Sequence, residues 1–319
     1  MILSYKNNGG ERLDKFLAGR FLNYSRGYFQ KLIKSGDILV DNQTVKPRYI
    51  LKAGNKIKIH FIEQKKEIDL KPADIPLEVI FENDDVIVIN KQPGLVVHPA
   101  AGNRDNTLVN ALIQRNPEIK SAVVDKSSKI SQMRPGIVHR LDKDTSGIIL
   151  IAKNQRALFL LSEQIKNRNI KKIYRALCFG WPKNDKGQII NYLGRNPKKR
   201  KEVSDIGLKK GKEAISFYRI IKCFKDSKNN KYSLIEFIIK TGRTHQIRYQ
   251  SASINLPILG DVVYGSKQSI NLSKSLGIKR QLLHAKEIEL NLPNQKNKAC
   301  FKTPLPKDFG SLIDRLDKI

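Results

Sequence analysis

A set of short, nearly continuous apolar runs, none longer than one strand, limits the fold of this chain more than any other feature. Asp85-Val-Ile-Val-Ile-Asn90, Gly147–Ala152, Ile173–Phe179, Leu234–Ile239 and Ile288–Leu290 each read as a strand covered on both faces. Helical patterns lie between them, at Thr107–Gln114 and Gln155–Lys166. The intervals are irregular and no segment repeats, so the expectation is a mixed α+β domain of about 240 residues. No run approaches the ~18 to 20 residues of a membrane span. The start, Met1-Ile-Leu-Ser-Tyr-Lys, has no charged region followed by an apolar one, so no signal peptide is expected. Cys178, Cys223 and Cys300 are widely spaced and odd in number, which points to a reducing, cytoplasmic compartment without a disulfide framework. There is no G-x-G-x-x-G or P-loop sequence, so nucleotide-cofactor folds lose support.

A different unit precedes this domain, from Glu11 to Ile62. Leu13, Phe16 and Leu17 have the spacing of one helix face. Ser25 is an N-cap for a second helix, with Phe29, Leu32 and Ile33 facing inward and Gly36 as its stop. Ile38–Val40 follows as a strand, Asp41-Asn42 as a turn, and the alternating Lys56–Phe61 as a half-buried strand. Arg26, Lys31 and Lys34 on the second helix, with Arg12, Lys15 and Arg20, make a candidate surface for a phosphate backbone. Residues 63–76 are charged and hold two prolines, as an interdomain linker does. The resulting division is 1–64, a linker over 65–76, and 77–319.

Charge narrows the partner. The chain has 60 Lys and Arg against 30 Asp and Glu, a formal net charge of +30. A polyanion is the expected partner, with nucleic acid ahead of an anionic membrane surface. The excess is spread evenly, with 14 basic and 7 acidic residues in 1–70 and 46 and 23 in 71–319. With 42 of the 60 being Lys and with 24 Asn, AT-rich coding is the competing reading of the excess.

The chemistry concentrates in Gly136-Ile-Val-His-Arg-Leu-Asp-Lys-Asp-Thr-Ser-Gly147. It sets His139, Arg140, Asp142 and Asp144 in one irregular segment directly before a buried strand. A carboxylate there is able to serve as nucleophile, general base or metal ligand, with flanking cations keeping it ionised. Capping a turn or pairing with Lys143 is the plainer reading. A second cluster is Thr241-Gly-Arg-Thr-His-Gln-Ile-Arg248, which places Arg243, His245 and Arg248 at the start of a helix, where anions are attracted. In a third, Lys172-Ile-Tyr-Arg, Tyr174 alternates with cations, which suits base stacking or ordinary sheet packing. His98, His139, His245 and His284 lie in this domain without a metal-ligand spacing, so no metal is expected.

Two resemblances sharpen these readings. Arg12-Leu-Asp-Lys-Phe-Leu, Ser25-Arg-x-x-x-Gln-Lys-Leu-Ile-Lys-Ser-Gly, Val40-Asp-Asn and Leu51-Lys-Ala-Gly-Asn-Lys-Ile resemble the alpha-L RNA-binding domain over roughly 50 residues. Asn90-Lys-Gln-Pro-Gly-Leu-Val-Val-His-Pro99, His139-Arg-Leu-Asp-Lys-Asp-Thr-Ser-Gly147, Lys172-Ile-Tyr174, Thr241–Arg248, Leu259-Gly-Asp-x-x-Tyr-Gly265 and Leu282-Leu-His-Ala285 resemble the RluA-type pseudouridine synthases, in that family's order. The resemblance implies a largely antiparallel catalytic sheet and cofactor-free isomerisation of uridine in RNA. It implies Asp142 as catalytic aspartate, Tyr174 as base-contacting tyrosine and Arg243 as the arginine paired with the carboxylate. Arg140 resembles the residue that enters the RNA stack, and His139, Lys172 and Arg248 are expected at the RNA. The two-domain layout resembles the subgroup acting on large-subunit (23S) ribosomal RNA, so that RNA or pre-ribosomal particles are the expected partner; a monomer is expected. Val97–Asn103 and Asn196-Pro-Lys-Lys-Arg200 are similar to the branch modifying the helix 69 stem-loop. Tyr249-Gln250 departs from the family, which more often has an aliphatic residue and then His, and Ser121–Met133 matches only loosely. Two other functions compete: a non-catalytic RNA-binding assembly factor, and a hydrolase using Asp142 with Asp144.

Overall fold

The structure, a computed structural model, describes every residue except 8–9, 63–67, 101, 127, 198, 200–201, 296 and 317–319. In chain order the elements are β1 (Ile2–Ser4), α1 (Leu13–Arg20), α2 (Arg26–Ser35), β2 (Ile38–Val40), β3 (Gln43–Thr44), β4 (Lys56–Ile59), β5 (Glu78–Glu82), β6 (Val86–Lys91), α3 (Leu108–Arg115), α4 (Lys129–Gln132), β7 (Ser146–Ala152), α5 (Gln155–Lys166), β8 (Lys171–Phe179), β9 (Lys186–Arg195), β10 (Val203–Asp205), β11 (Lys212–Lys225), β12 (Lys231–Ile239), α6 (Gln246–Ser253), α7 (Lys267–Ser275), β13 (Leu283–Asn291), β14 (Lys298–Lys302) and α8 (Lys307–Leu316). By packing, the chain divides into two units. One comprises Met1–Ile75, His98–Ile137 and Ala152–Leu160, the other Pro76–Val97, Val138–Ile151 and Leu161–Ile319.

In the first unit, α1 and α2 pack on a four-stranded antiparallel sheet of order β1-β4-β2-β3. Leu13, Leu17, Phe29, Leu32, Ile33, Ile38 and Ile57 form its core. The caps of α2 follow the local chemistry of the sequence. Ser25 Oγ accepts the Tyr28 N–H at 3.1 Å, and Gly36 closes the helix at φ 82°, a left-handed position that suits glycine. Ser25 also bonds the Asp125 carboxylate, and Lys126 N–H donates to Asn23 O at 3.0 Å, so the α1–α2 corner packs on the 122–126 segment. Residues 65–67 of the expected linker lie outside the described residues. The described remainder is anchored on α3, where Leu70 packs on Val109 and Ile113, and Asn110 donates to Lys71 O at 2.7 Å.

The second unit is built on a ten-stranded sheet of order β10-β9-β11-β12-β8-β13-β7-β6-β5, with β14 added on β13. Its registered pairs are antiparallel except β13–β7, so the α+β fold with a mixed, largely antiparallel sheet is observed as expected. β7 is buried along its whole length, as its apolar run implies. At its start Gly147 has φ 109°, and a Cβ there would lie 2.3 Å from Ala285 O on β13. Only glycine lets the two parallel strands approach at this point.

One charge organises the helical pair of the first unit. Asp14 on α1 is fully buried and receives Arg12 Nη2 at 2.9 Å, Arg26 Nε at 2.9 Å and Gln30 Nε2 at 2.6 Å. Burial alone would raise its pKa, but the bonds from Gln30, Arg12 and Arg26 outweigh it and bring the group to about 2. The folded pKa is thus depressed, so the stabilisation is present above the unfolded carboxylate pKa and disappears as pH falls through the folded one. We expect Asp14→Asn to cost about 1 to 2 kcal/mol at pH 7. In urea unfolding of the full chain, the gap between variant and parent should close as the pH is lowered from about 4 towards 2.

Candidate active site

The loop before β7 is held by its backbone. Thr145 N–H donates to Asp142 O at 3.2 Å. Lys143 O accepts from Gly94 N–H at 2.9 Å and from Lys91 Nζ at 3.0 Å, and Asp144 O accepts Arg280 Nη1 at 3.1 Å. Three consecutive carbonyls are therefore tied down from different elements. Lys91, at the end of β6, is fully buried and spends its other donors on Gln92 O at 2.9 Å and Leu95 O at 3.0 Å. Burial pulls it down to about 7, against the charges of Asp144 and Asp142. Its three carbonyl acceptors favour the ammonium form. Arg280 is itself fixed by the Asp308 carboxylate of α8, at 2.6 and 2.8 Å.

The side chain of Asp142 is held separately. Arg248, in the first turn of α6, donates Nη1 to Asp142 Oδ2 at 3.1 Å and turns its Nε/Nη2 fork on Asp261, at 2.7 and 3.0 Å. Side-chain exposure is 7% for Arg248, 1% for Asp261 and 16% for Asp142, so Asp142 is the outermost of the three. Burial disfavours the guanidinium charge, but the hydrogen bonds and charges of Asp261 and Asp142 outweigh it and raise the Arg248 pKa. Asp261 is oriented in turn by the Val263 N–H at 2.9 Å and the Tyr264 N–H at 3.1 Å. His245 sits beside Asp142, with Nε2 3.8 Å from Oδ2 and Nδ1 3.0 Å from the Tyr264 hydroxyl.

Tyr174 and Lys172 project from one face of β8. Tyr174 is buried, and burial together with the Asp142 charge pushes its phenol up, so it stays neutral. Lys172 is buried as well, and that burial lowers it to about 8. A Cβ on Gly242 would stand 3.7 Å from its Nζ, an ordinary contact, so the Thr241-Gly242 turn lies against the lysine. The arrangement is an oriented carboxylate flanked by cations, a neutral phenol and a histidine. It is equipped for covalent or proton-transfer chemistry.

The structure brings Asp142 and Arg248 into contact, but not Arg243. Arg243 Nε donates to Glu213 O at 2.9 Å and its backbone N–H to Gln246 Oε1 at 3.0 Å. The expected pairing of Arg243 with the carboxylate is therefore corrected to Arg248, because α6 begins only at Gln246 and leaves Arg243 in the preceding turn. His139 has a structural partner as well. Its Nε2 accepts the Leu150 N–H at 2.9 Å, which clamps the loop to β7, and burial, with the Lys172 charge, lowers its pKa to about 3. Arg12 and Arg26 are tied to Asp14 rather than free. Arg140, Lys15, Lys31 and Lys34 are exposed. Next to Lys34 an open groove of about 720 Å³ is lined by Gln30, Lys46, Pro47 and Arg48. Gln250, at the position that departs from the family, is fully buried. It donates to Ala214 O at 3.0 Å and accepts Ser216 Oγ at 2.6 Å, so the departure is spent on the sheet.

Lys91, Asp261, Tyr264 and Arg280 were given no role by the sequence reading. A lysine closing an apolar strand, and an acid and a tyrosine three apart in a glycine-flanked turn, were the available signals. Among the described residues no group of three or more His, Cys, Asp or Glu is placed to hold a metal ion. No helix of the described residues is long and apolar enough to cross a membrane.

The sequence matches the family described as RNA pseudouridylate synthase over residues 85–253, and the S4 domain over residues 11–57. It is 37% identical to an uncharacterized RNA pseudouridine synthase of Aquifex aeolicus, over 99% of this chain and 98% of the relative. A ribosomal large subunit pseudouridine synthase D of Pseudomonas aeruginosa is 36% identical, over 97% of this chain and 92% of the relative. Among solved structures, human RNA Pseudouridylate Synthase Domain Containing 1 shares the fold. It superposes with a TM-score of 0.57 at 21% identity, covering 76% of this chain and 96% of the human one.

The buried part of the site generates a stability prediction. Asp261→Asn leaves the Arg248 guanidinium with a neutral amide where it had a two-pronged carboxylate. We expect a loss of about 3 kcal/mol in chemical unfolding, larger than that of Asp14→Asn, because an interior charge loses its main partner.

Proposed function

Because the chain belongs to the RNA pseudouridylate synthase family and carries the uridine-to-pseudouridine isomerase activity of that family, we propose that it modifies specific uridines of large-subunit ribosomal RNA in the cytoplasm, with Asp142 as the reacting carboxylate. The observation that carries this reading is the grip on Asp142. Its side chain is oriented by one buried arginine while its edge stays open to a ligand. Whatever the order of steps, the N1–C1′ bond of uridine breaks, a C5–C1′ bond forms, C5 loses a proton and N1 gains one. An ionised, fixed carboxylate serves either as nucleophile or as base in that sequence. The relatives named for the ribosomal large subunit support the substrate class.

In this reading Tyr174 meets the extruded base, its buried neutral phenol beside the carboxylate. Arg140, exposed two residues from Asp142, fills the gap the base leaves in the stack, and Lys172 and Arg248 supply charge at the site floor. Residues 1–64 act as the RNA-holding module, 65–76 as the connection and 77–319 as the catalytic part. The protein works as a monomer, and the helix 69 stem-loop, free or in a pre-ribosomal particle, is the target we favour. No resident cofactor or metal is invoked.

Asp142→Asn should abolish pseudouridine formation while RNA affinity stays within a few fold. Retained turnover in that variant would remove the assignment. Pseudouridine mapping of ribosomal RNA from cells with and without the gene then names the sites, and an unchanged helix 69 would refute that target. A second outcome concerns Lys31 and Lys34. Replacing both with Ala should weaken binding similarly for all sequences and flatten log K against log salt by about 1.5, near the value for two lost phosphate contacts.

A further inference from the structure

Beside Asp142, one residue breaks a local backbone rule. His245 has φ 53° and ψ 20°, left-handed backbone directly before α6. A side chain with a Cβ adopts that conformation at a cost of about 1 to 2 kcal/mol. The fold retains it, held by the bonds of Gln246 Oε1 to the Arg243 N–H at 3.0 Å and to Thr241 Oγ1 at 2.9 Å. The result is that the imidazole lies between Tyr264 and Asp142.

We propose that His245 is a positioning residue for Asp142, with Tyr264 fixing its tautomer so that a neutral Nε2–H faces the carboxylate. The proposal rests on the reading that Asp142 reacts. Tyr264 Oη accepts the Val203 N–H at 2.8 Å. Its own proton is then left to donate, and His245 Nδ1, at 3.0 Å, is in place to accept it. With Nδ1 accepting, the ring proton sits on Nε2, 3.8 Å from Asp142 Oδ2. Burial disfavours the charged imidazole, the Asp142 charge opposes that, and the Arg248 charge adds to it; the balance is a lowered pKa. The division of labour follows. Arg248, at 3.1 Å, carries the charge that keeps Asp142 ionised. His245 guides the same oxygen by a dipole, without a second full charge that would make the carboxylate a poorer base or nucleophile. Tyr264 also stacks beside the Arg248 guanidinium, 5.3 Å from its ring centre, so one aromatic side chain touches both groups that face Asp142.

The test uses full-length protein and a ribosomal RNA fragment that the parent modifies. Single-turnover rate and RNA affinity are measured for His245→Leu, His245→Gln, Tyr264→Phe and the double variant His245→Leu/Tyr264→Phe. Leu should slow the chemical step by about ten- to a hundredfold with affinity within a few fold, the size expected for a misplaced reacting group. Gln, whose amide can donate from a similar reach, should recover most of the rate. Tyr264→Phe keeps the ring packing and should be slowed less, and the double variant should be no slower than Leu alone. Long-range nitrogen–proton NMR of the parent should show His245 neutral with its proton on Nε2, and Tyr264→Phe should lose that preference. A parent-like rate in His245→Leu, no recovery in Gln, additive losses in the double variant, or a ring protonated on Nδ1 would each overturn the proposal. If His245→Leu does not fold, Tyr264→Phe and the NMR readout decide. A parent protein that forms no pseudouridine on any ribosomal RNA would instead refute the functional reading itself.

Discussion

The site depends on one guanidinium shared by two aspartates. Arg248 presents a planar fork to Asp261 and keeps one further nitrogen for Asp142. A lysine has one point charge and no fixed directions, so it cannot satisfy two carboxylates at set angles. The orientation of Asp142 is therefore inherited. The turn holding Asp261 sets the carboxylate that takes the fork, the fork sets the guanidinium plane, and the plane aims the remaining N–H. Tight glycines make that turn possible, since a Cβ on Gly260 would lie 1.9 Å from Arg280 O and one on Gly265 2.4 Å from Asp261 O. A carboxylate in the first half of the chain is thus aimed by backbone geometry more than a hundred residues later.

The loop beneath Asp142 is fixed by a second, independent set of cations. Within this loop Lys91 and Arg280 bond backbone carbonyls, so they set backbone position while leaving the Asp142 side chain to Arg248. These buried cations are a small part of the +30 and have specific partners. The lysines on α1 and α2 are exposed, where salt screens their charge. Net charge thus has two physical meanings in this molecule. The interior portion specifies geometry, and the exposed portion sets up a field that salt screens.

What was legible in the sequence was what is decided locally. Ser25 and Gly36 bound α2 because capping and left-handed backbone are short-range chemistry. The apolar run of β7 could be read as a covered strand, and the polar segment before it as the place for chemistry. What was not legible was which arginine reaches Asp142. Arg243 and Arg248 are five residues apart, and the choice turns on where α6 starts, which Gln246 decides by bonding Thr241, Arg243, Ile215 and Ser216. Likewise nothing local reveals that Lys91 finds three carbonyls, or that His139 accepts a backbone N–H from Leu150. Such partners are chosen by tertiary placement, and backbone acceptors leave no trace in composition.

α6 shows why the placement is nonetheless sharp. Most of its buried residues are polar: Gln246, Arg248, Gln250 and Ser251, with Ile247 the exception. An apolar face tolerates small slides, because its contacts are many and non-directional. A face of buried amides and a guanidinium does not, because each donor that slips off its acceptor is stranded away from water at a cost of about 1 to 3 kcal/mol. Gln250, bonded to Ala214 and Ser216 of β11, and Arg248, bonded to Asp142 and Asp261, lie on the same short helix. A shift that satisfied one would break the other, so the sheet sets the position of the helix and the helix passes that position to Asp142. Directional bonds in a low-dielectric interior, rather than hydrophobic packing, determine the geometry of this site.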